Sequence, residues 1–187
     1  MLDAVNVSKA FDGKPVIRNL TLHLKAGGRY SLMGPSGCGK TTLLNLLMGL
    51  LKPDSGSVHL RDGARISAVF QEDRLLKQMT AAANIALINP QAREKAEALL
   101  LELGIDPESL LQPISAYSGG MKRRVALARA LLADFDILFL DEPYKGLDED
   151  TRARVMKIVD AYTQGKTVVL VTHDAEEAVG HTPILLG

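Results

Sequence analysis

The apolar positions change period along the chain, and the changes mark out its elements. Between Met1 and Lys25 they recur at strand-like spacing: Leu2, Val5 and Val7, then Val16 and Ile17, then Leu20, Leu22 and Leu24. Asp12-Gly13-Lys14-Pro15 interrupts them, which predicts a short antiparallel arrangement of strands. Lys25-Ala26-Gly27-Gly28 is a turn into a strand over residues 29–33. A helix follows to about Leu50 and stops before Lys52-Pro53-Asp54-Ser55-Gly56. Residues 57–60 and 66–70 read as strands around a turn at Asp62-Gly63. From Glu72 to about Leu103 the period becomes helical, with Ala92, Ala96, Leu99, Leu100 and Leu103 separated by Arg93, Glu94, Lys95 and Glu97. Gly104 ends that helix. Asp106-Pro107-Glu108 starts a short one that ends near Gln112-Pro113.

The second half alternates buried strands with helices. A long helix is expected over residues 121–133, opened by Ser118-Gly119-Gly120 and apolar at Val125, Leu127, Ala128, Leu131 and Leu132. Residues 137–140 and 167–171 are continuous apolar runs, as strands buried on both faces should be. Residues 150–162 and 175–179 read as helices, and 183–186 as a last strand. Together these predict an α/β fold with a doubly wound parallel sheet, an N-terminal antiparallel β part and a small helical insert. The expected organisation is one domain of residues 1–187. Residues 1–71 and 125–187 form its core and 72–124 the helical subdomain.

Composition narrows the classes. The 187 residues are 47% hydrophobic, and 22 Lys+Arg balance 22 Asp+Glu. Balanced charge gives no general attraction to nucleic acid, so no nucleic-acid partner is expected. No apolar run approaches the roughly 18–20 residues that span a bilayer. Charges at Asp3, Lys9, Asp12, Lys14 and Arg18 argue against a signal peptide. The one cysteine, Cys38, permits no internal disulfide, as in a reducing compartment.

The chemistry is concentrated in Gly34-Pro35-Ser36-Gly37-Cys38-Gly39-Lys40-Thr41-Thr42. Placed between a strand and a helix, it matches G-x-x-x-x-G-K-[ST], the phosphate-binding loop called Walker A. Its glycines let backbone N–H groups turn toward an anion, and the helix dipole points the same way. Lys40 suits the β- and γ-phosphates, and Thr41 suits Mg²⁺. Asp141, after four apolar residues, ends a strand where it can hold Mg²⁺. Glu142 stands next to it as a carboxylate able to polarise an attacking water. Ser118-Gly119-Gly120-Met121 opens a second helix N-terminus suited to an anion; an ordinary Ser cap is the plainer alternative.

In this order the motifs resemble the ATP-binding subunit of an ABC (ATP-binding cassette) transporter, over essentially the whole chain. The resemblance places Gln71 at the Q-loop glutamine and Ser118 to Met121 at the signature. Lys145-Gly146-Leu147-Asp148 falls at the D-loop, His173 at the switch histidine, and Phe11 at the aromatic that stacks on adenine. By composition alone Phe11 reads also as core, Gln71 as a surface glutamine and His173 as a capping residue. Phe70-Gln71-Glu72 with Leu75-Leu76, and Glu142-Pro143-Tyr144, are similar to bacterial importers of the nitrate, sulfonate and taurine group.

The resemblance implies ATP and Mg²⁺ as cofactors and two copies of the chain in head-to-tail contact, each ATP held by Walker A of one and the signature of the other. Lys40, Glu142 and His173 are then the catalytic residues, Glu142 as general base. Thr41, Gln71 and Asp141 form the metal set. Phe11, residues 34–42, Gln71, residues 118–121 and Asp148 contact the nucleotide. The implied partner is a transmembrane permease, with a solute-binding protein indirectly, and the implied location is the cytoplasmic face of the cell membrane. A soluble ABC-type ATPase outside transport is the alternative, and a small P-loop kinase a third. Three positions depart from the family pattern: Tyr117 and Met121 stand in the signature in place of Leu and Gln, and Lys145 stands where the D-loop usually has Ser. Lys122-Arg123-Arg124 reads as a solvated helix face.

Overall fold

Strand and helix propensities resolve into the following order in the computed structural model, which describes residues 1–186. Strands β1 (Leu2–Phe11), β2 (Lys14–Leu24) and β3 (Arg29–Met33) lead to helix α1 (Lys40–Leu47). Then come β4 (Ser55–Leu60), β5 (Ile66–Val69), α2 (Ala81–Ala86), α3 (Arg93–Glu102), α4 (Pro107–Leu110) and α5 (Gly119–Leu131). Strand β6 (Ile137–Asp141), α6 (Glu149–Tyr162), β7 (Thr167–Val171) and β8 (Thr182–Leu185) complete the chain. These elements form two compact units. The first comprises residues 1–66, 135–141 and the segment from Gly165; the second comprises 67–134 and 142–164.

The first unit contains two sheets. In one, β1 lies between β2 and β4 and is antiparallel to both. Leu2, Ala4, Val7, Ile17 and Leu24 are buried along it. Strands lie on either side of the expected turn at Asp62-Gly63, and β4 pairs with β1, with Leu2 opposite Leu60 and Ala4 opposite Val58. In the other sheet the strands run parallel in the order β6, β7, β3, β8. Every residue of β6 and β7 is buried, which is why their sequences carry no polar alternation. Strand β3 is flanked by β7 and β8, so the loop after Met33 leaves from the interior of the sheet at its carboxyl edge, where α/β sheets place their ligands.

The second unit is helical. Ile85, Ala96, Leu99, Leu100, Leu103, Ile114, Val125 and Ala128 supply its core. Tyr117, the departure beside the signature, belongs to that core: its ring is buried and its hydroxyl donates to Ser109 O at 2.7 Å, at the end of α4. Burial pushes its phenol up from the usual range.

Three elements differ from expectation. Residues 175–179 make turns closed by Ala178 N–H to Ala175 O and Val179 N–H to Glu176 O, with no α-helical ladder. Residues 72–80 are not helical; α2 begins only after Thr80, whose hydroxyl accepts from Ala83 N–H and starts the helix there. The basic cluster is not a solvated face, because Arg123 is buried.

Candidate nucleotide site

The phosphate loop is shaped by three glycines with positive φ: Gly34 at 153°, Gly37 at 82° and Gly39 at 102°. At Gly34 an added Cβ would lie 2.3 Å from Leu186 O and 2.8 Å from Cys38 Sγ, so both conformation and space demand glycine. Gly39 caps α1 without a side chain, and Leu43 N–H donates to its carbonyl at 2.8 Å. Lys40 Nζ donates to Gly34 O at 2.7 Å and Pro35 O at 2.9 Å, which sets the ammonium inside the curve of the loop. Thr41 Oγ1 donates to Asp141 Oδ2 at 3.2 Å. Two residues one hundred positions apart thus meet as a hydroxyl and a buried carboxylate.

Other expected residues of the first unit are placed as follows. Phe11 ends β1 and is 45% exposed, so it is not a core aromatic; Lys9 Nζ lies 5.6 Å from its ring centre. Beside the loop, a cleft of about 440 Å³ is lined by Val16, Ile17, Arg18, Cys38 and Leu186 among others. His173 is exposed just past β7. Thr172 before it is held by Glu177 Oε2, to which its hydroxyl donates at 2.5 Å, and by Asp174 N–H at 3.0 Å.

The second unit carries the rest. Ser118 caps α5, its Oγ accepting from Met121 N–H at 3.2 Å, and Gly119 and Gly120 form the first turn. Asp148 caps α6 by accepting from Thr151 N–H, and that hydrogen bond holds its carboxyl below the usual range. Glu142 has a left-handed backbone, φ 46°. Its Oε2 accepts from Lys145 Nζ at 2.7 Å across a turn closed by Lys145 N–H to Glu142 O. Gln71 O accepts from Arg123, whose role the sequence hid. Asp73, beside it, is pushed up by burial, against the pull of Arg123, Lys122 and Arg129.

The sequence profile of the family described as ABC transporter matches residues 17–145, from β2 through the phosphate loop and α5 to the turn at Glu142–Lys145. The chain belongs to the ABC transporter family. It is an ATP-binding and ATP-hydrolysing subunit, and the readings as a kinase or a non-transport ATPase fall away. It is 40% identical to the aliphatic sulfonates import ATP-binding protein SsuB 1 of Rhizobium johnstonii, over 95% of this chain and 70% of that protein. To the spermidine/putrescine import ATP-binding protein PotA of Fusobacterium nucleatum it is 32% identical, over 95% of this chain and 52% of that one. Among solved structures, a dimeric ATP-binding cassette in a post-hydrolysis state with ADP and Pi superposes with a TM-score of 0.89 at 30% identity. That match covers 100% of this chain and 94% of the cassette. No helix among the described residues of this ABC subunit is long and apolar enough to cross a membrane.

Proposed function

We propose that this ABC subunit drives an importer of small organic anions of the sulfonate type, as two head-to-tail copies docked on the cytoplasmic face of a membrane permease. The observation that carries the catalytic part is the meeting of Thr41 Oγ1 and Asp141 Oδ2 beside the phosphate loop. A hydroxyl and one buried carboxylate are hard oxygen donors. They suit Mg²⁺, which is bound by one or two protein oxygens together with substrate phosphates and water. No cluster of three His, Cys, Asp or Glu side chains among the described residues offers a metal cage, in keeping with that mode. The ion, when bound, neutralises charge developing on the β- and γ-phosphates.

The chain's own residues do the remaining work. Lys40 and the amides of residues 34–42 bind and orient the phosphates, and Phe11 stacks on the base. Asp141, Thr41 and Gln71 hold the metal shell. Glu142 accepts the proton of the attacking water, and His173 orients that water against the γ-phosphate. Ser118, Gly119, Gly120 and Met121 of the second copy close over the nucleotide, with Asp148 in the adjoining loop. Gln71, Glu142, Asp148 and the signature are assigned by motif position. Such positioning and charge stabilisation supply most of the barrier reduction in phosphoryl transfer. Residues 72–124 form the subdomain that meets the permease, and Leu76, 53% exposed, is a contact there.

The sulfonate cargo rests on the names of the relatives at about 40% identity. Co-expression with a candidate sulfonate permease tests the assignment. Co-purification and sulfonate-dependent stimulation of ATPase are expected in reconstituted vesicles. A permease that recruits the chain but is stimulated only by another solute class would replace the cargo, and failure to bind any importer permease would remove the transport role.

A further inference from the structure

The segment after β5 belongs to no helix or strand, so its backbone carbonyls need partners from elsewhere. Two arginines of α5 supply the donors. Arg123 donates from Nη1 to Phe70 O at 2.6 Å and from Nη2 to Gln71 O at 2.5 Å, and its Nε lies 3.3 Å from Asp73 Oδ1. Arg129 donates to Arg74 O at 2.7 Å and to Asp73 O at 3.0 Å. Of the five carbonyls between Phe70 and Arg74, four are therefore held by α5. The Arg74 guanidinium lies 3.7 Å from the Phe70 ring centre and folds the segment on itself. Arg123 is only 7% exposed, so its donors are spent on this segment and not on solvent. A planar guanidinium with forked donors can bridge two successive carbonyls and a carboxylate at once; a lysine ammonium cannot hold that geometry.

The same helix begins at Ser118, whose hydroxyl caps its first turn. From that cap α5 runs unbroken for thirteen residues, past both Arg123 and Arg129. We propose that Arg123, with Arg129, makes residues 70–74 a rigid extension of α5, so that Gln71 and the Ser118 end respond to nucleotide as one body. Arg123 is thereby a positioning residue for hydrolysis: it acts through Gln71 and touches no phosphate. This rests on the reading of Gln71 and Ser118 given above. It adds that the hinge of the Q-loop does not lie within residues 70–74. A signal arriving at Gln71 in one ATP site is passed by the clamp to the signature offered to the other.

Arg123→Gln keeps a long polar side chain but removes the fork. Turnover is measured per nucleotide-binding site, so that loss of folded protein does not register. Amide hydrogen exchange is followed at residues 71–76 and 118–122 with and without ATP. Arg123→Gln is expected to lower kcat about tenfold with KM for ATP within about twofold, the size seen when coupling residues are removed. ATP should then protect the two segments to different extents, whereas in the wild type their protection rises together. Arg123→Lys should recover only part of kcat, and Arg129→Gln, which leaves the contacts to Gln71 intact, should show a weaker form of the same defect. Wild-type kcat with parallel protection in both Gln variants would overturn the clamp while leaving the ATPase reading standing. Absence of ATP hydrolysis by the wild-type chain would overturn the functional reading and the clamp with it.

Discussion

Replacing Lys145 by Ser removes the ion pair that engages Glu142. The pair is short, 2.7 Å, but Lys145 is 55% exposed and Glu142 20% exposed, so water screens much of the attraction. Pairs of this kind are worth about 0.2–1 kcal/mol. The left-handed backbone at Glu142 and the four-residue turn hold the two side chains together, which favours the upper part of that range. A general base must release the ammonium to receive a water proton, and any stabilisation of the paired carboxylate adds to the barrier. Lys145→Ser should therefore raise kcat by about two- to fivefold, the factor that corresponds to that energy, with KM for ATP unchanged. The assay is steady-state phosphate release at saturating ATP, with Lys145→Arg retaining the pair as control. A fall in kcat, or a gain that appears equally in Lys145→Arg, would refute the idea that the lysine restrains Glu142.

Gly34→Ala should weaken ATP binding by about five- to 160-fold in equilibrium titration. Its φ of 153° and the 2.3 Å approach to Leu186 O force the loop to move, at about 1–3 kcal/mol; unchanged affinity would show the loop adapts freely. Ser118→Ala should lower the urea midpoint by an amount equivalent to about 1 kcal/mol, through loss of the cap on Met121 N–H. An unchanged midpoint would deny Ser118 a structural part. The carboxyls of Asp3, Asp54, Asp106, Asp136 and Asp148 are each held below the ordinary aspartate range. Their leading causes are hydrogen bonds from His23, Lys9, Ser109, Arg65 N–H and Thr151 N–H. A lowered native pKa contributes stability above the unfolded value and loses it as pH falls through the native one. The urea midpoint should thus decline steadily below about pH 4, with Asp73, raised by burial, opposing it weakly. A flat midpoint down to about pH 2.5 would contradict these contacts.

The phosphate loop was legible because its requirements are local: glycines where φ is positive, and a lysine and threonine at the helix start. The buried strands β6 and β7 were legible for a similar reason, since burial on both faces erases alternation. The meeting of Thr41 with Asp141 could be anticipated only from the order of motifs, because parallel strands join distant segments. What stayed hidden depends on tertiary partners. Nothing local distinguishes an arginine facing water from Arg123, whose acceptors are backbone carbonyls more than fifty positions away. Tyr117 is visible in the sequence only as a departure from Leu; its burial and its hydroxyl's bond to Ser109 O are tertiary. The strands on either side of Asp62-Gly63 were legible, but the pairing of β4 with β1 was not. Residues 175–179 have helical composition but close only four-residue turns. Lys145 was visible as a departure, and its partner was not.

If Glu142 is the general base of an ATP site completed by a second copy of the chain, its amide variant should bind ATP without cleaving it. Light scattering on Glu142→Gln in Mg²⁺ and ATP, with hydrolysis followed in the same sample, should show a stable dimer retaining intact ATP, which disperses to monomer when ADP replaces ATP. A Glu142→Gln chain that stays monomeric with ATP bound, or that hydrolyses ATP near the wild-type rate, would contradict it.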